Sequence, residues 1–299
     1  MNWPRVLLTW PVLFAELMLL GAALFALSLG REELARRDAL LRALAPVWRG
    51  LALVALVLSP LLLMTTVAGM AGLSWSQSLR YVGPVLRETH AGHVWDCRLP
   101  CLVIVALAAA RAPATTASAA VVAVFSAVLL LLGALMSHAI DRGVPAVAII
   151  FIHEAAAALW MGAIFCLWFG ARRASLGERW ITCIAPWVSQ LAGWTVLALL
   201  LAGGYSAWRG LMGEPSLLLY SSWGRNLLIK IGAASIVLLA GAYNRLILIP
   251  DLDMACARDA LVRNVMLESL LLVGVVGLAA LLANTPPPHH AMMMAQGSH

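Results

Sequence analysis

The chain has 299 residues, of which 63% are hydrophobic and 11% charged. A soluble domain carries roughly 25% charged residues, so this chain has too few to cover a water-facing surface, and lipid must be its main solvent. The net charge of +6 does not mark a nucleic-acid binder, because the basic residues are nearly all Arg and sit between apolar segments, where membrane topology places them.

Only helices and closed barrels satisfy their backbone in lipid. The apolar runs are long and unbroken rather than alternating, which favours helices. The predicted fold class is an all-α polytopic membrane protein of about eight transmembrane helices, arranged as two four-helix pseudo-repeats in parallel orientation. Taken in order, the spans fall at about 6–29, 47–69, 95–111, 117–138, 145–170, 187–211, 224–247 and 262–284. Each approaches or exceeds the ~20 residues that cross the hydrocarbon core, and the third is the shortest. The first span is long enough to cross and is not followed by a cleavage site, so no cleavable signal peptide is expected. The expected domains are an N-terminal half, 1–140, a C-terminal half, 141–285, and a flexible Met/His-rich tail, 286–299.

Orientation follows from the arginines. The connections 30–49, 111–116, 171–186 and 245–263 hold twelve, and the opposite side holds seven. The first set is therefore expected in the cytoplasm, with both termini on the periplasmic side. The parallel repeat is suggested by two span openings. Thr89 and Ser221 each stand three residues before a glycine, Gly92 and Gly224, and a basic residue, Arg98 or Lys230, follows six residues later. Glu16 in the first span and Glu154 in the fifth extend the likeness.

The polar residues carry the functional reading, because each is costly in a membrane. All seven histidines (His90, His93, His138, His153, His289, His290 and His299) fall on the outer side or in the outer half on this topology. His90, His93, Cys97 and Cys101 are spaced 3, 4 and 4, one helical stripe if the helix starts early enough and continues through Gly92 and Pro100. Met64, Met70, Met136 and Met212 lie near the outer ends of their spans. His, Met and Cys are ligands suited to Cu(I). The candidate metal ligands are thus His90, His93, His138, His153, Met136, Met64, Met70, Cys97 and Cys101. The tail residues His289, His290, Met292, Met293 and Met294 are candidates for copper capture. Each has a plainer alternative: Met as packing, Cys as a small apolar residue, a lone His as an interfacial donor.

Glu16, Glu154, Lys230 and Glu268 are embedded charges that either line an ion or proton path or pair structurally. The five cysteines show no CxxC pair. No P-loop, GxSxG elbow or HExxH occurs, so no enzyme activity is expected.

Several stretches together resemble the copper resistance protein D family. The fifth span, His153-Glu154 through Trp160-Met161-Gly162, is similar to that family's histidine and tryptophan-x-glycine segment. The likeness is closer over about 183–288. It includes Gly204-Tyr205-Ser206-Ala207-Trp208, Tyr220-Ser221-Ser222-Trp223-Gly224, Leu227-Leu228-Ile229-Lys230, Asn244-Arg245, Glu268 and Pro286-Pro287. Trp223 departs from the family's usual tyrosine. Thr89, Gly92, Trp95 and Arg98 carry the resemblance into the first half. It implies an inner-membrane protein that works with a separate periplasmic copper-carrier protein and moves copper inward, contributing to copper resistance. Two other readings stay open: a b-type haem electron carrier or cupric reductase, with His138 and His153 on adjacent helices, and a non-transporting copper-binding assembly or sensor protein.

Overall fold

The computed structural model describes residues 3–30, 33–111, 114–137, 139–176 and 179–288, apart from the side chains of Asp141 and Ala174. All of its regular secondary structure within those residues is helical. In chain order the helices are α1 (Trp3–Ser28), α2 (Leu34–Ala71), α3 (Trp75–Ser78), α4 (Val82–Glu88), α5 (His90–Ala110), α6 (Thr116–Leu135), α7 (Val144–Ala171), α8 (Trp180–Gly210), α9 (Leu217–Tyr220), α10 (Ser222–Tyr243) and α11 (Ala255–Ala283). A π-turn, Asn244–Leu248, extends α10. Eight of these helices are long and apolar enough to cross a membrane: α1, α2, α5, α6, α7, α8, α10 with its π-turn, and α11.

α8 and α11 begin seven residues before the expected 187 and 262, at Trp180 and Ala255, and two other starts differ for clear reasons. α2 begins well before the expected 47 and has 38 residues, roughly 57 Å at 1.5 Å per residue. Its first turns carry Arg36, Arg37, Asp38 and Arg42, with Glu33 and Arg36 paired just at its start. This polar end is long enough to stand outside the hydrocarbon. α5 starts at His90 rather than 95, because the Thr89 hydroxyl accepts a hydrogen bond from the Gly92 N–H at 3.0 Å and caps the helix. Pro100 then lies within an unbroken helix, as membrane helices tolerate.

The chain forms two compact units that divide within α7, one ending at Gly162 and the other beginning at Ala163. In the first, α1 is the central element and packs against α2 and α6, while α5 packs against both α2 and α6. The core includes Leu19, Leu20, Phe25, Leu40, Leu41, Leu44, Trp48, Leu129 and Leu130. α1 also meets the first half of α7 at Gly21 and Gly162. A Cβ on Gly21 would meet the Ala158 carbonyl, and one on Gly162 would meet the backbone of Gly21. Close approach through small residues is how membrane helices gain contact when lipid removes the hydrophobic drive between them.

In the second unit, α10 packs along α11, and α9 packs on the start of α10. Trp180 at the head of α8 folds back onto the end of α7, where its indole donates to the Leu167 carbonyl at 3.1 Å and lies against Gly170. Trp223 lies against Gly210 in the same manner.

Candidate functional site

Among the described residues, each unit holds a buried polar constellation between its membrane helices. In the first unit it joins α1, α5 and α6. Glu16 lies 13 residues beyond Trp3, the first residue of α1, about 20 Å along the axis. Arg98 Nη2 donates to its Oε1 at 2.6 Å, and the two side chains are 8% and 2% exposed. The second guanidinium nitrogen, Nη1, donates to the Leu129 carbonyl on α6 at 3.0 Å. The guanidinium also sits 5.5 Å from the centre of the Trp95 ring. A single charge at a helix centre costs about 2.5–3.5 kcal/mol on insertion scales. The pair is neutral as a unit, and its fork of donors ties three helices together. Arg98 therefore has a role that sequence reasoning missed. Placing the start of the span at 95 set this arginine at the membrane edge; the available signal was an arginine eight residues inside a capped apolar helix.

The outer-side candidates gather at the start of α5. His90 Nε2 donates to the Leu135 carbonyl at the end of α6, and His93 Nε2 donates to the Arg87 carbonyl of α4, both at 3.2 Å. Both side chains are exposed. With Nε2 bound to a carbonyl, Nδ1 is the nitrogen open to a metal ion, and metal-binding histidines characteristically donate their other N–H in this way. Met136 follows Leu135 directly. It packs, partly buried, against the cluster Leu63, Val67, Val85 and Trp95. The structure thus brings His90 to the chain segment that carries Met136.

The remaining candidates lie on several elements. Cys97 continues the exposed face of α5, whereas Cys101 is buried. Met64 is half-buried and Met70 exposed. Met212 lies in the α8–α9 turn, with φ 59°. His153 and Glu154 are half-buried on α7, and Lys230 is half-buried on α10. Among the described residues, no three His, Cys, Asp or Glu side chains gather as a metal-holding group. His138, His289, His290, Met292, Met293 and Met294, and so most of the tail 286–299, lie outside the described residues.

In the second unit the constellation joins α10 and α11. The Asn244 amide donates to Glu268 Oε1. Asn264 Nδ2 donates to Asn244 Oδ1 at 2.5 Å and approaches the Ala240 carbonyl at 3.4 Å. Glu268 is 2% exposed and Asn244 6%. The π-turn beginning at Asn244 widens the helix there, as such turns do at many functional positions. Beside it, Arg245 Nη1 donates to the Ser189 carbonyl of α8 at 2.8 Å. Nearer the other end of the pair, Asn226 donates to the Thr285 hydroxyl at 3.0 Å. The two asparagines were not among the sequence candidates, because an isolated amide in an apolar run does not reveal its partner on another helix.

The repeated span opening is also visible. The Ser221 hydroxyl accepts from the Gly224 N–H at 2.9 Å and donates to the Leu217 carbonyl at 2.6 Å. The Thr89 hydroxyl makes the matching pair with Gly92 and Val85 at 3.0 and 2.7 Å. A Cβ at Gly92 would meet Val85 and Leu86 backbone, and one at Gly224 would meet Leu217 and Leu218 backbone.

These features define a polytopic all-helical membrane protein with polar groups held between its helices. The family comparison is more particular. Residues 1–147 match the copper resistance protein D-like N-terminal domain, and residues 184–282 match copper resistance protein D. The chain belongs to the copper resistance protein D family. No curated protein and no solved structure matches it.

Proposed function

We propose that this protein takes up copper at the periplasmic face of a bacterial inner membrane and passes it toward the cytoplasm. It is a copper-resistance-related multi-pass membrane protein by family and by its helices. The observation that carries the finer reading is the pair His90 and His93. Both bind backbone carbonyls through Nε2, which leaves Nδ1 of each for a metal ion. The soft thioether of Met136 follows the carbonyl that His90 binds, and thioethers suit Cu(I). Both termini are periplasmic in this reading, so the tail with His289, His290 and Met292 to Met294 is on the side where copper is captured. A separate periplasmic carrier delivers the ion. The protein acts as a conduit and not as an enzyme, and copper is its cargo.

The test is metal content by mass spectrometry of the purified, copper-loaded protein, with an absorption spectrum of the same sample. About one copper per chain is expected, falling at least tenfold in a His90→Ala/His93→Ala double variant that keeps its gel-filtration profile. Unchanged copper in that variant would sink the assignment of these histidines. A haem absorption band would shift the reading to electron transfer through ligands such as His153.

A further inference from the structure

The two buried glutamates are treated in opposite ways. Glu16 faces an arginine. Glu268 faces an amide: among the described residues, Asn244 is its one hydrogen-bond donor, and no salt bridge reaches it. An ionised carboxylate in hydrocarbon demands a partner charge or a counter-ion. Among the described residues of its own unit, the groups shown against Glu268 are neutral. On α10 they are Asn244 and Gly241, whose added Cβ would stand 3.7 Å from Oε2. On its own helix Asn264 lies one turn away. The charged residues of those elements are placed elsewhere. Arg245 of the π-turn is bound to the Ser189 carbonyl, and Arg258 to the carbonyls of Leu252 and Asp253. Asp259 and Arg263 are exposed near the start of α11, and Arg225 is exposed at the start of α10. Lys230 precedes Gly241 by eleven residues on α10, roughly 16 Å of helix.

We infer that Glu268, with Asn244 and Asn264, is a proton-binding site inside the membrane. The amides already satisfy one another: Asn264 donates to Asn244, and Asn244 donates to Oε1. Among the described residues, that chain leaves Oε2 without a donor, and a proton needs only its free lone pair. The O–H bond forms there as the carboxylate takes a proton from a hydronium ion, leaving water, and the carboxyl becomes neutral. Release to water restores the carboxylate. The π-turn places the donor that meets the remaining oxygen. This site stands independently of the copper reading.

Infrared difference spectroscopy on the full-length protein in lipid tests it. Between about pH 5 and about pH 9, a carboxylic-acid carbonyl band should appear and disappear. It should be lost in Glu268→Gln and retained in Glu16→Gln. Asn244→Leu, which removes the donor, should displace its midpoint by about tenfold or more in proton concentration. Absence of any band lost with Glu268→Gln overturns the proposal. So does a Glu268 band that is constant across the whole range, because that carboxyl exchanges no proton. Gel filtration and unchanged thermal melts establish that the variants fold, so failure here is distinct from failure of copper binding.

Discussion

Arg98 and Glu16 form a buried ion pair between α1 and α5. Arg98→Ala would strand the Glu16 carboxylate between α1, α5 and α6, and breaking one side of a buried pair costs about 3–5 kcal/mol. A fall in the thermal midpoint of the detergent-solubilised protein is expected for Arg98→Ala. The double variant Glu16→Gln/Arg98→Met should recover a large part of it, since no uncompensated charge is left. Equal losses in the single and double variants would mean that the ion pair is not what holds these helices. At this scale the sequence exposed Glu16 and Glu268 as improbable in lipid, but it did not distinguish a glutamate with an arginine from one with an amide. Arg98 and Glu16 are 82 positions apart, and Asn244 and Glu268 24. No local spacing encodes such pairs.

The starts of α5 and α10 are built on one plan, and the plan was legible. A hydroxyl residue three before a glycine is a capping pattern, and the glycine is needed for a separate reason that only packing reveals. The preceding short helix crosses so closely that a Cβ at Gly92 or Gly224 would run into its backbone. Gly92→Ala and Gly224→Ala should therefore each destabilise by about 1–3 kcal/mol through overpacking. Thr89→Ala and Ser221→Ala should cost about 1 kcal/mol through loss of the cap. Thermal melts of the four purified variants would check the order, and glycine variants as stable as wild type would contradict the close crossing. The early start of α5 also puts His90, His93, Cys97 and Cys101 on continuous helix. Yet His90 and His93 are exposed while Cys101 is buried, so the stripe is divided between two environments.

For the whole molecule, arginine distribution predicts that the α10–α11 connection is cytoplasmic and the α2–α3 connection periplasmic. Cys256 is exposed at the start of α11, next to the first, and Ser74 is exposed in the second. In a background with the other cysteines replaced by serine, a membrane-impermeant thiol reagent added to spheroplasts should label Ser74→Cys. It should label Cys256 only after lysis. The reverse pattern would invert the topology, and with it the side on which the histidines at the start of α5 lie.

Apolar run lengths alone make the chain helical and membrane-embedded, with eight helices long and apolar enough to cross and in the expected order. Those properties are sums over apolar runs and survive errors of several residues at each end. The motifs at the two span openings likewise needed only local spacing. Tertiary structure decided what the polar residues do. It showed that Arg98 reaches Glu16 and the Leu129 carbonyl, that His90 turns to the end of α6, and that Asn244 meets Glu268 at a π-turn. In lipid, a polar side chain must find its partner wherever the helices bring one within hydrogen-bond reach, and that choice is made by helix packing rather than by position along the chain.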